Sequence, residues 1–272
     1  MSGNASGRIS VEPEVEISYT ERGTGPAVVL VPGWTMSGEV FEHQLDGLSS
    51  QFRVITFDPR SQGRSTHTMA GNTYPQQGRD LAMMIEALDL RDVHLVSWSY
   101  GALAAYAYME HSGLGRLRSF TAIDQTPKPL GSGVAGEWAE GTLGTFLDEY
   151  ISPFLADPAG FADSFAAWLL GRDPAPAERD WLAAMHLGTE RHATTSLQVS
   201  AMLCDYRDLA GRLSGRLPFA NAVREDWMGQ AEPWLAAQAP KAALWPIPSH
   251  LAFWDTPSDF NHRLVQFLQT GK

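Results

Sequence analysis

The apolar residues of this chain form short runs that are typical of strands, separated by longer segments with helical spacing. Residues 27–31, 53–57, 93–97 and 120–123 are such runs, and the first of them is apolar throughout. Continuous apolar runs of this length are typical of strands that are buried on both faces of a sheet. Earlier in the chain, apolar residues alternate at positions 15, 17 and 19, which predicts an edge strand.

Helical patterns fill the intervals between these runs. Leu81, Met84 and Ile85 fall on one face of a helix, and a second helix, rich in Ala and Tyr, is predicted from about residue 100 to residue 111. Strands that alternate with helices in this way predict βαβ units and a mostly parallel central sheet flanked by helices. The predicted fold class is therefore α/β.

The alternation of strands and helices stops after residue 129. Residues 130–214 keep apolar and aromatic residues at helical spacing, and no strand pattern is evident among them. Strand-like runs return at 219–223 and 242–245. This order predicts an α/β core formed by residues 1–129 and 215–272, with a helical cap, residues 130–214, inserted between its two parts.

The C-terminal segment has the signature of a helix start. Thr256 stands at the N-cap position, Pro257 in the first turn, and Asp259 where a capping box would close. The helix that follows is predicted to bury one apolar face, formed by Phe260, Leu264, Phe267 and Leu268.

The charge balance and the single cysteine narrow the function classes. The 272 residues include 31 acidic and 20 basic side chains, a formal net charge of −11, and such a chain repels the phosphate backbone of nucleic acids. Cys204 alone cannot form an intrachain disulfide or a cysteine-built zinc site, and it fits a reducing compartment. Because no apolar segment has the length of a membrane span or the pattern of a signal peptide, we expect a cytoplasmic protein.

The segment from Ser97 to Gly101 carries the strongest chemical signal in the sequence. A predicted strand runs into the pattern small-x-Ser-x-Gly and then directly into a helix. A nucleophile elbow needs this arrangement, because the central serine adopts a strained backbone that requires small neighbours two positions away. Ser99 is therefore the candidate nucleophile, and the helix that starts at Tyr100 directs its positive end toward any oxyanion formed there.

A serine nucleophile needs a base, and His250 is the candidate. It follows the last predicted strand and precedes the terminal helix, so its loop returns to the sheet edge that carries Ser99. The acid that orients His250 has two sources. The first candidate is Asp124, at the end of the strand after the elbow helix. The alternative is Asp226, or its neighbour Glu225, after the later strand, although that stretch lacks a Gly-x-x-Asp turn.

Backbone and aromatic groups complete the candidate site. The loop that contains Trp34 follows the first buried strand, so its N–H group and that of Tyr100 are candidates for an oxyanion hole. Apolar walls are typical of small-molecule pockets. The candidates for the substrate pocket are Trp34, Trp98, Trp138, Phe154 and Trp168.

In their order along the chain, these motifs resemble the α/β-hydrolase fold with a helical cap. The resemblance covers the whole chain and rests on the oxyanion loop 32–34, the turn 58–65, the elbow 97–101, and His250 followed by a terminal helix. It implies a serine hydrolase that cleaves a small, largely apolar carboxylic ester or lactone through an acyl-enzyme intermediate. In that reaction His250 would take the proton of Ser99 and later return it.

Two other functions stay open on the same fold. Cofactor-free quinolone dioxygenases resemble this chain in a Trp of the oxyanion loop, here Trp34, and in an acid from the strand after the elbow, here Asp124. In that branch His250 would deprotonate a 3-hydroxy-4-oxoquinoline-type substrate, whose anion reduces O₂. The branch tends to carry histidines beside the serine, where this chain has Trp98 and Tyr100. The second alternative is a non-catalytic protein that binds a small ligand.

The sequence also predicts which partners are absent. No cofactor is expected, because no G-x-G-x-x-G pattern follows a strand, and no metal is expected, because no His, Asp or Glu cluster has ligand spacing. The expected partner is a small apolar substrate, with neither nucleic acid nor membrane. A homodimer is compatible with the sequence.

Overall fold

A computed structural model, which describes residues 4–272, has a sheet of eight strands at its centre. The strands are β1 (Asn4–Glu12), β2 (Val15–Arg22), β3 (Ala27–Val31), β4 (Arg53–Phe57), β5 (Val93–Trp98), β6 (Leu117–Ile123), β7 (Phe219–Arg224) and β8 (Ala243–Ile247). Their spatial order is β1-β2-β4-β3-β5-β6-β7-β8. The six strands from β3 to β8 are parallel, whereas β1 and β2 pair in antiparallel fashion.

Twelve α-helices are present within the described residues. They are α1 (Glu42–Leu48), α2 (Tyr74–Ala87), α3 (Gly101–Ser112), α4 (Leu143–Phe146), α5 (Ser152–Ala156), α6 (Pro158–Leu170), α7 (Pro176–Leu187), α8 (Arg191–Leu203), α9 (Arg207–Leu213), α10 (Met228–Gln238), α11 (Ala252–Asp255) and α12 (Pro257–Thr270). Segments Gly38–Phe41 and Glu225–Trp227 are 3₁₀ helices, and Leu147–Ile151 is a π-helix. Across residues 4–272, none of the helices combines the length and the apolar character that a bilayer crossing requires.

Side chains of the central strands alternate between two buried clusters, one on each face of the sheet. In β3, Val29 and Val31 pack with residues of α2 and α3, whereas Val28 and Leu30 pack with residues of α1 and α12. All of these β3 side chains are buried. This burial on both faces explains the continuous apolar run in the sequence, and it confirms the predicted class of a mostly parallel sheet flanked by helices.

The edge strand of the sheet differs from the prediction. The alternating segment at residues 15–19 is β2, the second strand, and the edge is β1, in which Ile9 pairs with Ile17. Ile9 and Val11 are both buried, so the same alternation extends into β1. The prediction of an edge strand at 15–19 is therefore wrong in position, because the alternation of Ile9 and Val11 forms a further strand that pairs with the outer side of β2.

The carboxyl ends of the six parallel strands lie at one edge of the sheet. Val31 of β3 pairs with Ser97 of β5, and Ile123 of β6 pairs with Ala222 of β7. The carboxyl ends of parallel strands point the same way, and ligands bind in the crevice outside them. The loops after β3, β5, β6 and β8 therefore lie side by side, and these loops carry positions 34, 99, 124 and 250.

Between β6 and β7 the described chain forms helices and loops, with one isolated β-bridge between Leu130 and Gly141. This helical insertion extends from α4 to α9, and it contacts the core directly, since the indole N–H of Trp34 donates to the carbonyl of Thr194 at 3.0 Å. The division into a core, residues 1–129 and 215–272, and a cap, residues 130–214, stays a prediction.

The terminal helix α12 begins at Pro257 but has no capping box. No side chain caps its first turn, and the Thr256 hydroxyl donates instead to the carbonyl of Ala252 at 3.1 Å. The capping-box prediction is therefore wrong, because the short helix α11 directly before it supplies a nearer acceptor. The predicted apolar face of α12 is confirmed, since all of its members are buried, namely Phe260, Leu264, Phe267 and Leu268.

The turn at residues 58–65 is held by buried charges. The Asp58 carboxylate accepts the backbone N–H of Gly38 at 2.9 Å and that of Arg64 at 2.8 Å. Next to it, the guanidinium of Arg60 donates two hydrogen bonds to Asp80 of α2, at 2.9 and 2.7 Å. Both partners of the Arg60–Asp80 pair are buried, so this turn fastens α2 to the sheet.

We expect Asp80→Asn to lower the free energy of unfolding by about 3 kcal/mol, because it leaves the buried Arg60 charge with only the half-exposed Glu12 carboxylate, 3.0 Å away, as its counterion. The matched control is Asp89→Asn, which removes the partner of Arg91 in a pair whose side chains are 75% and 69% exposed. That change should cost less than about 1 kcal/mol. Denaturant unfolding of both variants measures the difference, and equal costs would contradict this role of the Arg60–Asp80 pair.

Candidate active site

Ser99 lies at a sharp turn between β5 and α3. Its φ of +52° is in the left-handed region, which a serine adopts only where the surroundings impose it. A Cβ atom on Gly101 would lie 2.4 Å from the carbonyl oxygen of Pro32, and one on Gly33 would lie 2.9 Å from Cβ of Ser99. The two glycines therefore let the elbow and the oxyanion loop approach each other closely.

Two backbone N–H groups beside Ser99 have no protein acceptor. Among the hydrogen bonds of residues 4–272, neither the N–H of Trp34 nor that of Tyr100 is a donor. Trp34 belongs to the loop after β3, and Tyr100 directly follows Ser99 at the start of α3. Buried backbone donors are almost always paired, so two unpaired ones at a strained serine are suited to receive a negatively charged oxygen.

His250 and Asp124 are hydrogen-bonded to each other. The distance between Nδ1 of His250 and Oδ2 of Asp124 is 2.5 Å, and both side chains are buried. Asp124 follows β6 and has a φ of +50°, a conformation that turns its side chain toward the end of β8. Because an ionised carboxylate only accepts hydrogen bonds, Nδ1 carries the proton and Nε2 of His250 remains free to act as a base.

Arg224, the last residue of β7, holds the Asp124 carboxylate from the other side. Its backbone N–H donates to Oδ1 of Asp124 at 2.9 Å. Its Nε lies 2.6 Å from Oδ2, but the N–H direction does not meet hydrogen-bond geometry. We therefore interpret the side-chain contact as an ion pair. The guanidinium also lies over the rings of Trp168 and Trp227, at 5.0 and 4.7 Å from their centroids.

The pKa of His250 is lowered from its ordinary value of 6.5. Desolvation is the main cause, because a buried imidazole resists protonation, and the Arg224 guanidinium acts in the same direction. The hydrogen bond and the charge of Asp124 oppose this shift without cancelling it. His250 is therefore neutral at neutral pH, as a general base must be.

The acid from the later strand does not meet the histidine. Asp226 is 67% exposed, and its carboxylate lies 3.8 Å from a guanidinium nitrogen of Arg224. The structure thus brings together His250 and Asp124, whereas Asp226 stays at the surface. The neighbouring Glu225 is also exposed, because the chain turns outward into a 3₁₀ helix directly after β7.

Ser99 and His250 line the same small cavity. Its volume is about 30 Å³, and because a single water molecule needs roughly 10–15 Å³, it has room for about two water molecules. The residues that line it are Trp34, Ser99, Tyr100, Gln125, Glu140, Tyr150, Phe165, Trp168, Trp227 and His250. Six of them are aromatic, so the cavity is apolar except at a few defined polar groups.

Comparison with known proteins agrees with this architecture. The sequence model of the α/β-hydrolase fold family matches residues 26–239. The chain belongs to the α/β-hydrolase fold family. The predicted resemblance is therefore confirmed. Among curated relatives, the non-heme chloroperoxidase CPO-A1 of Kitasatospora aureofaciens is 36% identical over 114 residues, which cover 42% of this chain and 42% of that protein. The matched region is thus less than half of the relative's length.

Solved α/β-hydrolase-fold structures match nearly the whole chain. The bromoperoxidase from Bacillus anthracis has a TM-score of 0.88 and 22% sequence identity, and the match covers 97% of this chain and 100% of that one. An esterase from Exiguobacterium antarcticum has a TM-score of 0.85 and 19% identity, with 98% and 100% covered. At these identities the likeness establishes the fold alone.

Two of the predicted pocket residues of this α/β-hydrolase, Trp34 and Trp168, line the cavity, and the other three lie elsewhere. Trp98 is buried behind His250, and its indole N–H donates to the His250 carbonyl at 2.7 Å. Trp138 packs against Trp234, and Phe154 packs against neighbouring rings of the insertion. Each of these three rings packs between helices or loops, and its assignment to substrate binding stays a prediction.

An outer groove lies on the far side of three aromatic residues. Its volume is about 550 Å³, and it shares Tyr150, Phe165 and Trp168 with the inner cavity. We call these three residues the aromatic wall. Trp168 is 38% exposed, and its ring lies 4.7 Å from that of His250. An ester is larger than the inner cavity, so a substrate that enters from the groove must displace part of the aromatic wall.

Sequence reasoning missed five polar or aromatic residues of the cavity lining, namely Gln125, Glu140, Tyr150, Phe165 and Trp227. Gln125 follows Asp124 directly, so its place at the strand end was a usable signal. Glu140 lies in an irregular segment before α4, and no periodicity or motif marks it. Among residues 4–272, no three His, Cys, Asp or Glu side chains are grouped in a way that could hold a metal ion.

We expect Trp168→Ala to raise the rate at which a bulky serine-directed phosphonate modifies Ser99 by about tenfold, because the open form of the wall becomes the common one. A small phosphonate should gain much less. Leu155→Ala, which removes an exposed side chain of the insertion outside the cavity lining, is the matched control. Mass spectrometry of the modified protein gives the rates, and an unchanged ratio of bulky to small probe would contradict entry through this wall.

Proposed function

We propose that this protein is a serine hydrolase that cleaves a small carboxylic ester or lactone with a largely apolar body through an acyl-enzyme. The observation that carries the proposal is the hydrogen bond of 2.5 Å between His250 and Asp124 at a cavity that also contains Ser99. A neutral, oriented imidazole beside a strained serine is the arrangement that makes a hydroxyl nucleophilic.

The proposed reaction has two halves, acylation of Ser99 and hydrolysis of the acyl-enzyme, and Ser99, His250 and Asp124 act in both. Oγ of Ser99 attacks the ester carbonyl while Nε2 of His250 takes its proton, and Asp124 stabilises the resulting imidazolium. The N–H groups of Trp34 and Tyr100 bind the oxyanion of the tetrahedral intermediate. His250 returns the proton to the leaving alcohol, and a water molecule then hydrolyses the acyl-enzyme by the same steps.

The names of similar proteins support ester chemistry without fixing the substrate. Esterases occur among the similar solved structures, including those from Exiguobacterium antarcticum and a Rhodococcus species. Several curated relatives are named non-heme chloroperoxidases. Halide oxidation with hydrogen peroxide is therefore a side activity to measure beside hydrolysis, with the same protein and the same Ser99 variant.

The test is turnover of p-nitrophenyl esters by the wild-type protein and by Ser99→Ala. We expect the variant to lose at least about a thousandfold in kcat, because the nucleophile and the base act as a unit. Ser97→Ala is the matched control, since the Ser97 hydroxyl is buried and faces the carbonyl of Thr121 at 3.3 Å. Full turnover by Ser99→Ala would contradict the acyl-enzyme mechanism, and no turnover by the wild type would favour a binding protein.

A second candidate function is a cofactor-independent dioxygenase of a 3-hydroxy-4-oxoquinoline-type heteroaromatic. The observation that favours it is that the partner of His250 is Asp124, from the strand after the elbow, together with Trp34 at the cavity. His250 would then deprotonate the substrate hydroxyl, and Ser99 would only position the substrate. Oxygen consumption with a hydroxyquinolone, retained in Ser99→Ala, distinguishes this reaction from hydrolysis.

We expect Asp124→Asn to lower kcat by roughly three to four orders of magnitude, because an amide cannot hold the imidazole in the required tautomer. Asp226→Asn is the matched control at the exposed acid after β7, and it should change kcat by less than about threefold. Steady-state kinetics with one ester compare the two variants. A larger loss of kcat in Asp226→Asn would instead identify Asp226, after β7, as the acid that orients His250.

The pH dependence follows from the lowered pKa of His250. His250 acts as a base only when neutral, so kcat/KM should fall on the acid side as pH drops through this lowered pKa. We therefore expect the acid limb below pH 6.5, the ordinary pKa of the group. A pH profile with a neutral ester measures it, and a limb above that value would contradict the burial argument.

A further inference from the structure

The cavity contains a polar corner, formed by side chains that the proposed mechanism does not use. It consists of Tyr100, Gln125 and Glu140. The Tyr100 hydroxyl donates to Oε2 of Glu140 at 2.7 Å, and Nε2 of Gln125 donates to Oε1 at 2.5 Å. Behind them, Nε2 of Gln198 donates to the Tyr100 hydroxyl at 3.1 Å. Tyr100 and Gln125 therefore both donate to the Glu140 carboxylate, and Gln198 holds the Tyr100 hydroxyl in place.

The carboxylate of Glu140 can accept more hydrogen bonds than the corner supplies. Each carboxylate oxygen offers about two lone-pair positions, and each here receives one hydrogen bond. Since Glu140 also lines the cavity with Ser99 and His250, the remaining positions are available to a bound molecule. A donor group on that molecule would complete the shell of the carboxylate.

Charge is unbalanced around the cavity. The carboxylate of Asp124 is paired with the Arg224 guanidinium at 2.6 Å. Glu140 has no basic partner among the salt bridges of the described residues. An ionised carboxylate away from water is costly unless a positive charge compensates it. A cation in the cavity would therefore be attracted by a charge that the protein leaves unpaired.

The protonation of Glu140 is tuned to neutral pH. Desolvation raises the pKa of Glu140 to about 7, with the Asp124 charge in the same direction, while hydrogen bonds from Tyr100 and Gln125 and the Arg224 charge oppose the rise. As a whole residue Glu140 keeps some solvent-accessible surface, but its carboxyl group is enclosed by the corner, and this enclosure determines the shift.

The surroundings also favour a cation. Trp34, Tyr100 and Tyr150 line the cavity, and their π-systems attract cations, whereas the rings of Trp168 and Trp227 are already in contact with the Arg224 guanidinium. The outer groove contains Glu149 and Asp157 and no Lys or Arg in its lining. A cation that enters through the aromatic wall would therefore meet acidic side chains in the groove and then Glu140 in the cavity. The net charge of −11 also attracts cations to the protein.

We propose that the substrate carries a protonated amine and that Glu140 is the residue that binds it. The amine N–H donates to the free lone pairs of the carboxylate, and the aromatic rings surround the cation. The substrate class is therefore an aminoalkyl ester, in which the ester carbonyl faces Ser99 while the ammonium group faces the polar corner. The hydrolysis of that ester rests on the proposed function, whereas the binding of the ammonium group does not.

The kinetic test uses two isosteric esters, 3-(dimethylamino)propyl acetate and its neutral carbon analogue, 4-methylpentyl acetate. At about pH 8, where Glu140 is ionised, we expect wild-type kcat/KM to favour the amine ester by about tenfold or more. Glu140→Gln keeps the shape of the side chain and should bring the ratio of the two kcat/KM values to about one. Glu137→Gln is the matched control, since Glu137 pairs with Lys128 at 2.9 Å outside the cavity.

A second arm needs no variant. Between about pH 6 and about pH 8 the amine stays protonated while Glu140 loses its proton, so the wild-type preference for the amine ester should rise. The titration of His250 affects kcat/KM of both esters alike, so it cancels in the ratio of the two values. The other ionisable groups that act on Glu140 are Asp124, Arg224 and Tyr100, and burial holds the pKa of Tyr100 well above its usual range.

A binding arm separates this proposal from the proposed function. Quenching of tryptophan fluorescence in Ser99→Ala compares 3-(dimethylamino)propanol with 4-methylpentanol. Tighter binding of the amino alcohol that is lost in Ser99→Ala/Glu140→Gln supports the site even if neither ester is hydrolysed. Equal binding of both alcohols, or an unchanged preference in Glu140→Gln, overturns it. An equal loss for both esters in Glu140→Gln also overturns it, because Glu140 would then only position Tyr100.

Discussion

The hydrogen bond between Asp124 and His250 joins groups that are 126 residues apart, and the rest of the candidate site depends on it. The strand order makes it feasible, because β6, β7 and β8 are neighbours that end at one edge. Arg224, from the strand between them, holds the carboxylate with its backbone and its charge. Trp98 holds the His250 carbonyl from the elbow side. The pair is therefore fixed by three neighbouring strands, and it links the end of the chain to the elbow.

Sequence alone was sufficient for those parts of the molecule whose signals are local. The elbow around Ser99 follows from a short pattern of small residues, and the buried strands follow from continuous apolar runs. The choice between Asp124 and Asp226 was not local, because both follow parallel strands that end at the same edge. It is decided by the positive φ of Asp124 and by the outward 3₁₀ turn after β7, neither of which has a pattern in the sequence.

For the aromatic residues of the helical insertion, the sequence does not predict which ones reach the cavity. Trp138, Phe154 and Trp168 all occur at helical spacing, yet only Trp168 reaches the cavity. Periodicity identifies a buried face, but not which neighbour covers it, since that depends on contacts between distant helices. Glu140 is a stronger case, because a carboxylate in an irregular segment has the same sequence signature whether it is solvated or enclosed beside a nucleophile.

The size of the inner cavity has a consequence for affinity. A site with room for about two water molecules can take up a ligand only in the fraction of molecules whose aromatic wall is displaced. Measured dissociation constants are then larger than the intrinsic one by the reciprocal of that fraction. Weak apparent binding of a good substrate would therefore indicate that the open conformer is rare. Substitutions in the aromatic wall would change the apparent dissociation constant without contacting the reacting atoms.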